Sequence, residues 1–190
     1  MEVFLRDHNS LRVARRAELV DALDHPAVLA WSEGRLVGAA TYAIDGDTCE
    51  VLTLHAGVRF TGTGSALLAA VKEFARDAGC GRLWVVTTND NVDALRFYQR
   101  RGFRLAQLRP GAVDASRQGL KPEIPRLGAH DIPLRDELEL ELHLTDHDGG
   151  EEPADGSRQV RAPSAEASMG PDHSSPSTGS SHSPGANSRP

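Results

Sequence analysis

The spacing of apolar and polar residues predicts alternating strands and helices over most of this 190-residue chain. Two β-rich runs, at residues 27–31 and 36–43, flank a glycine-containing turn signal and predict an antiparallel hairpin. A third run at 49–55 extends the hairpin into a three-stranded meander. Before the hairpin, a short helix at 3–7 and a short strand at 12–15 are expected.

The strongest helical pattern lies at residues 66–78, where Leu67, Val71 and Phe74 recur at spacings of three or four residues. A glycine at position 79 follows, where a left-handed residue commonly ends a helix. Residues 83–88 are an uninterrupted β-rich run, which is typical of a strand buried on both faces.

Four further elements are expected after this strand. The pattern predicts a short helix at 92–101, ended by a glycine, and a strand at 103–108. Residues 109–135 contain four prolines and no clear period, so we expect a long loop that is functional or mobile. Residues 137–144 alternate, with glutamates at 137, 139 and 141 and leucines at 138, 140, 142 and 144, which predicts a strand with one buried face and one acidic face.

Composition divides the chain into two parts. Residues 145–190 contain 10 Ser, 6 Gly and 6 Pro, and their only large aliphatic side chains are Val160 and Met169. Such a segment buries too little apolar area to offset the entropy of ordering, so we expect a disordered tail. The folding unit is therefore residues 1–144, a single domain with 18 basic and 20 acidic residues.

The charge and the motifs that are missing exclude several classes of protein. A domain that is slightly acidic argues against a nucleic-acid-binding protein, which needs a basic surface. The chain has no apolar run long enough for a membrane span and no signal-peptide core at its start. Cys49 and Cys80 have no metal-ligand spacing and form no disulfide framework, and we expect no metal site. These features favour a cytoplasmic protein.

The most informative stretch is the glycine-containing loop between the strand at 49–55 and the helix at 66–78. The first N–H groups of a helix have no internal partner and carry partial positive charge, so this junction can hold a pyrophosphate. The loop lacks the Lys and Ser or Thr of a P-loop, and Leu67 replaces the third glycine of a Rossmann fingerprint. Antiparallel strands before the loop also argue against a Rossmann fold.

Two motifs in this region resemble those of the GNAT superfamily of acyl-CoA-dependent N-acetyltransferases. The first is Arg59-x-x-Gly62-x-Gly64 at the strand–helix junction. The second, at the expected distance, is Asn91-x-x-Ala94-x-x-x-Tyr98-x-x-x-Gly102-Phe103. The resemblance covers about residues 27–108 and is specific for the family, although not for the acceptor substrate.

The resemblance implies an α/β fold of GNAT type. Its mixed, largely antiparallel central sheet would be flanked by helices and splayed between the strands at 49–55 and 83–88. Acetyl-CoA would be the co-substrate, with its pantetheine arm between these strands and its pyrophosphate on main-chain N–H groups of the loop. The cofactor-binding residues implied are Leu54, Ala56, Arg59, Phe60, Thr61, Gly62, Thr63, Gly64 and Asn91.

The resemblance also implies catalytic roles for a tyrosine and a glutamate. Tyr98 would protonate the CoA thiolate that leaves, and a phenol with a pKa of about 10 can donate to such a thiolate. The amine that attacks must first lose a proton, and Glu50 is the first choice of general base, with His55 as runner-up. Tyr98 as a core aromatic, Glu50 as a solvated strand residue and His55 as a loop-edge histidine are the structural alternatives.

The sequence leaves the acceptor open: a small amine, an antibiotic, an amino acid and a peptide or lysine amine all fit. The glutamates of the last strand suggest a cationic acceptor, or only a solvated face. Four arginines near the end of the second helix, at 96, 100, 101 and 104, complement its dipole or bind a CoA phosphate. Lys121 and His130, in the long loop, are candidates for residues of a lid over the substrate, and nothing in the sequence singles them out.

One expectation and two alternative hypotheses concern the domain as a whole. Only 26 residues precede the first hairpin strand, so the N-terminal part that helps form the acceptor pocket is expected to be shortened. A non-catalytic acyl-CoA-binding or regulatory module is the rival to an enzyme. The second alternative is a degenerate fragment that is stable only as a homodimer, in which the second copy supplies a missing strand.

Overall fold

In the computed structural model, residues 1–57 and 61–144 are described. The predicted tail at 145–190 lies outside these residues. The helices and strands are α1 (Glu2–Asp7), β1 (Arg12–Arg15), β2 (Glu18–Asp21), β3 (Ala27–Ser32), β4 (Arg35–Asp45), β5 (Thr48–Ala56), α2 (Thr63–Asp77), β6 (Arg82–Thr88), α3 (Val92–Gln99), β7 (Arg104–Arg109), α4 (Ala112–Gly119) and β8 (Glu137–His143), with 3₁₀ turns at Ala22–Asp24 and Ala129–Asp131.

The centre of the fold is a sheet of six strands in the order β3-β4-β5-β6-β8-β7. Every neighbouring pair is antiparallel except β5 and β6, which are parallel and joined through α2. Strands β1 and β2 form a separate antiparallel hairpin. The predicted α/β fold with a mixed, largely antiparallel sheet flanked by helices is confirmed.

The hydrophobic core lies between the sheet and the helices that follow β5 and β6. Leu67, Leu68 and Val71 of α2 are buried against the sheet, together with Leu83 of β6 and Leu140 of β8. These helix residues recur at spacings of one, three and four, so one face of α2 covers the strands. Helix α2 begins three residues earlier than the apolar pattern alone indicated.

The opposite face of the sheet carries charged and aromatic side chains and lies beneath the β1–β2 hairpin. Glu50 of β5 pairs in register with Trp84 of β6, and Trp84 with Glu141 of β8, so the three side chains share this face. The hairpin reaches the same face through Arg15, whose guanidinium donates to Glu50. The sheet therefore has one apolar face and one face of buried ionic contacts.

The segment at 109–135 is not the continuous loop that the prolines suggested. It contains α4, which follows Gly111 in the left-handed region at φ 70°. The Gly111 N–H donates to Asp136 Oδ1 at 2.8 Å. The Arg117 side chain donates to the carbonyls of Ile124, Pro125 and Leu134, which fixes the rest of the segment. Eight residues are too few for α4 to show a clear period in the sequence.

None of the helices within residues 1–57 and 61–144 combines the length and the apolar character needed to cross a membrane.

Candidate functional site

The sheet opens between its two parallel strands. Strands β5 and β6 pair only from Thr48 with Arg82 to Val51 with Val85. Tyr42 of β4 lies opposite Val51, and the next pair joins Thr41 to Thr53, so Leu52 is an extra residue on β5. A bulge bends the strand that contains it, so β5 turns away from β6 just where their pairing ends. The splayed sheet expected from the sequence is therefore confirmed.

The open side leads to the N-terminus of α2. Strand β5 ends at Ala56, and Gly62 caps α2 in the left-handed region at φ 81°, without a side-chain hydrogen bond to the helix. The N–H groups of the first turn have no partner within the helix and carry the positive end of its dipole. Apart from its chain neighbours, no atom of the described residues lies within 4 Å of a Cβ placed on Gly62, which leaves space beside this helix terminus.

A close approach of β4 fixes the position of this helix terminus. A Cβ placed on Gly38 would lie 2.7 Å from Thr63 Cγ2 and 3.0 Å from both His55 O and Leu67 Cδ1. Only glycine allows strand and helix to approach this closely. Gly38 therefore seats the first turn of α2 against the end of β5.

Glu50 lies on β5, one residue before the last pair with β6. Its carboxylate is 5% exposed, and Oε2 accepts a hydrogen bond from Arg15 Nη2 at 2.7 Å. Burial raises the pKa of Glu50 to about 7, with a contribution from Glu139, while Arg15 and Arg16 lower it. A carboxyl group with a pKa near neutral pH is well matched to accept a proton.

Tyr98 lies near the end of α3, and its side chain packs into the core. It is 6% exposed, with ring centroids 5.1 Å from Phe97 and 5.2 Å from Phe103. Burial raises the pKa of the phenol well above its ordinary value, while the charge of Arg101 lowers it. Tyr98 is therefore neutral at neutral pH and holds the proton that a general acid needs.

Asn91 caps α3 at the carboxyl end of β6. Its Oδ1 accepts a hydrogen bond from the Ala94 N–H at 3.1 Å, which is an N-cap interaction. The side chain is exposed, whereas Tyr98 at the end of the same helix is buried. Contact of Asn91 with a cofactor stays a prediction.

His55, the runner-up base, lies near the end of β5 beside His8 of the N-terminal segment. The two rings have centroids 4.9 Å apart. Burial, with a contribution from His8, lowers the pKa of His55 to about 4. His55 is therefore neutral near pH 7, but its low basicity makes it a weaker proton acceptor than Glu50.

Comparison with known proteins agrees with this geometry. Residues 2–103, more than half of the chain, match the Acetyltransferase (GNAT) family. The chain belongs to the GNAT acetyltransferase family.

Two relatives of this GNAT protein show how far the similarity extends. It is 46% identical to the uncharacterized protein YdhI of Bacillus subtilis over 105 residues, which are 55% of this chain and 65% of YdhI. It is 34% identical to streptothricin acetyltransferase of Streptomyces lavendulae over 96 residues, 48% of this chain and 51% of that enzyme. The chain thus spans less than two thirds of either relative.

A solved structure shows the same fold. It is a GNAT family acetyltransferase from Elizabethkingia anophelis, crystallised with acetyl-CoA bound. It aligns with a TM-score of 0.52 at 24% identity and covers 61% of this chain and 74% of that chain.

The last strand of this GNAT protein corrects one prediction. Most of the acidic face of β8 is not solvated, because Glu137 and Glu139 are buried and the turn of the β1–β2 hairpin contacts this face through the Arg16 N–H on Glu137. Glu139 accepts hydrogen bonds from Arg82 and Arg109, and Glu141 accepts one from Arg82. Burial opposes ionisation of Glu139, but these arginines lower its pKa. The row is therefore largely neutralised within the protein.

Part of the predicted loop site can be placed. Arg59 and Phe60 lie outside the described residues. Thr61 and Thr63 hydroxyls are 3.0 Å apart at the start of α2. Gly64 follows in the first turn, where a Cβ would lie 3.4 Å from Phe97 and 3.5 Å from Leu54. The structure thus brings the described loop residues together at one end of the gap.

Two arginines make contacts at the candidate site that the sequence pattern did not indicate. Arg101 donates to the Phe97 carbonyl at 2.8 Å, which places its positive charge at the negative end of the α3 dipole. It also donates to Ser65 Oγ in the first turn of α2. Its position near the end of α3 indicated only the first contact. Arg15 contacts Glu50 across 35 residues of sequence, and no sequence signal points to that pair.

The segment before β8 is fixed at the carboxyl end of β6. Asn89 Oδ1 accepts from the N–H groups of Arg135 and Asp136, and its amide donates to the Pro133 carbonyl. Asp90 accepts from the Ala129 N–H at 2.8 Å. The two residues hold the segment beside the start of α3, next to the open side of the sheet.

The two proposed lid residues have different surroundings. Lys121 is buried and donates to the carbonyls of Asn9 and Arg12, which joins the end of α4 to the N-terminal segment. His130 is exposed, with Nε2 4.0 Å from a carboxylate oxygen of Asp93. Within the described residues, no three His, Cys, Asp or Glu side chains are grouped to hold a metal ion.

Proposed function

We propose that this GNAT protein transfers an acetyl group from acetyl-CoA to an amine by direct attack, without a covalent enzyme intermediate. The observation that carries the proposal is the opening of the sheet at Leu52, where β5 leaves β6 and leads to the N-terminus of α2. In this arrangement a strand edge that is not paired to β6 is followed by a helix N-terminus, which favours binding of a phosphate group.

The described residues fit acetyl-CoA. The edge of β5 from Leu54 to Ala56 is not paired to β6 and can hydrogen-bond an extended amide arm. Gly62 to Gly64 offer main-chain N–H groups at an uncapped helix terminus, and Arg101 brings a positive charge to the same turn. The related structure from Elizabethkingia anophelis supports the assignment, because it contains acetyl-CoA. When bound, acetyl-CoA supplies a reactive thioester.

Glu50 is proposed as the general base. An amine with a pKa near 10.4 is only about 0.04% neutral at pH 7, which costs roughly 4–5 kcal/mol unless a base removes the proton. The Glu50 carboxylate, beside the point where the sheet opens, can accept that proton directly or through a water molecule. Its pKa of about 7 leaves a substantial ionised fraction at neutral pH.

Tyr98 is proposed as the general acid that donates its phenolic proton to the departing thiolate. Its burial keeps the phenol neutral, so the proton is present when it is needed. Asn91 and the residues at 59–64 are proposed to bind the cofactor rather than to take part in proton transfer.

The acceptor is proposed to be a small-molecule or peptide amine. The similarity to streptothricin acetyltransferase makes streptothricin one compound to test, beside simple amines, amino acids and peptides with a free N-terminus or lysine.

The test is calorimetric titration of the full chain with acetyl-CoA, with NAD as the control ligand, followed by an assay of thiol release with the amine panel. Saturable micromolar binding of acetyl-CoA and amine-dependent thiol release would support the proposal. Tight binding with thiol release at background for every amine would favour the non-catalytic acyl-CoA-binding module. Absence of binding would refute both.

A further inference from the structure

The β1–β2 hairpin is attached to the site face by contacts from its turn. Arg15 Nη2 donates to Glu50 Oε2 at 2.7 Å, and the Arg16 N–H donates to Glu137 Oε2 at 3.0 Å. The Arg16 guanidinium also lies 4.9 Å from the centre of the Trp84 ring. The hairpin is not paired to the central sheet, so side chains and the turn hold it there.

Arg15 is shared between a buried and an exposed carboxylate. Its Nη1 donates to Glu18 Oε2 at 2.6 Å, and Glu18 is 67% exposed, whereas Glu50 is 5% exposed. Its Nε is buried without a hydrogen-bond partner among the described residues. Because exposed ion pairs are weak, the contact that matters energetically is the one with Glu50.

The other charges around Glu50 do not replace Arg15. Arg16 favours ionisation of Glu50 without a hydrogen bond to it, and Glu139 of β8 opposes ionisation. Glu139 is itself paired with Arg82 and Arg109. Trp84 of β6, beside Glu50 in the sheet, carries no charge. Without Arg15, burial and Glu139 would favour the protonated carboxyl, which cannot accept a proton from an amine.

We propose that Arg15 is a positioning residue that holds Glu50 ionised and oriented at the open side of the sheet, so that the hairpin completes the catalytic site. The inference rests on the proposed function, in which Glu50 is the base. It assigns to the N-terminal hairpin a role in proton removal in addition to covering the sheet.

The test compares Arg15→Met with Arg15→Lys and with Arg12→Met in the full chain. Arg12 lies on the same strand with an exposed side chain, so its substitution controls for general effects on the hairpin. Carbon-13 NMR of protein labelled at glutamate carboxyl carbons follows the titration of Glu50 without any substrate, after assignment with Glu50→Gln. The pH profile of kcat/KM is then measured with the amine of the panel that gives the fastest thiol release.

For Arg15→Met we expect the Glu50 titration and the acidic limb of kcat/KM to move up together by about one pH unit or more. A move of about one unit would lower kcat/KM about fivefold at pH 7 and leave it nearly unchanged at pH 9. Arg15→Lys should retain most of the wild-type profile, and Arg12→Met all of it.

Two results would overturn the inference. One is a Glu50 titration that is the same in Arg15→Met as in the wild type, even where thermal stability falls. The other is a moved titration with an unmoved acidic limb. Failure of the proposed function is distinct, since wild-type protein would then release no thiol with any amine, whether or not it binds acetyl-CoA, and NMR would still show whether Arg15 controls Glu50.

Discussion

Gly38→Ala tests whether the close contact between β4 and α2 builds the cleft. The added methyl group would lie 2.7 Å from Thr63 Cγ2, 3.0 Å from Leu67 Cδ1 and 3.0 Å from the backbone carbonyl of His55. Thr63 and Leu67 are buried, and the carbonyl belongs to a paired strand, so none of the three can turn aside easily.

Overpacking of this kind costs about 1–3 kcal/mol, and replacing glycine by alanine returns about 0.4–1 kcal/mol through the unfolded state. The net loss should be about 1–2 kcal/mol, which corresponds to a fall in Tm of about 2–8 °C for a domain of this size. Relief of the contact would push the first turn of α2 away from β5, so acetyl-CoA should also bind several-fold more weakly.

Thermal unfolding and calorimetric titration measure the two effects. Gly81→Ala is the matched control, because no described atom beyond its chain neighbours lies within 4 Å of a Cβ there and Gly81 is not in the left-handed region. We expect Gly81→Ala to raise Tm slightly, because it has the same unfolded-state gain of about 0.4–1 kcal/mol without the overpacking. If Gly38→Ala and Gly81→Ala have the same Tm and the same affinity, the close approach does not position the helix.

Further predictions concern the cleft and its support. Tyr98→Phe should lower kcat by about 10- to 10⁴-fold while acetyl-CoA affinity stays within a few fold; an unchanged kcat would remove Tyr98 from the mechanism. Gly62→Asp should abolish acetyl-CoA binding by calorimetry, whereas Gly46→Asp, also at a positive φ with open space, should not. The Glu50 pKa is raised from 4.5 to about 7, so the folded state binds the extra proton between these values and wild-type stability falls as pH rises through them. The Tm of Glu50→Gln relative to wild type should therefore increase from pH 4.5 to 7; a constant difference would contradict the raised pKa. Asn89→Ala removes three side-chain hydrogen bonds and should lower the free energy of unfolding, measured in urea, by about 1–3 kcal/mol. A smaller loss than that caused by Asn91→Ala would contradict the role of Asn89 in fixing the segment before β8.

Local patterns were sufficient for most elements of the domain. The apolar period of α2, the glycines around it and the continuous β-rich run of β6 were all recognised from neighbouring residues. The two motifs then indicated the family and its splayed sheet. The pattern missed α4, because a helix of eight residues with two inward-facing side chains gives little periodic signal.

Only the tertiary structure showed which charged residues are buried. Glutamates at alternate positions of β8 look like a solvated face in sequence, but Glu137 is 1% exposed because another segment covers that face. The position of the bulge at Leu52 likewise depends on how β4 pairs with β5.

The local sequence thus determined where strands, helices and the glycine loop occur, since periods of two and 3.6 residues are properties of neighbouring positions. It did not determine that Arg15 would meet Glu50, or that Arg16 would meet Glu137 across 121 residues. Those contacts, and the ionisation of Glu50 that follows from them, depend on packing between distant segments. A carboxylate acquires its pKa from the groups that surround it in the folded chain, and its neighbours in sequence do not specify them.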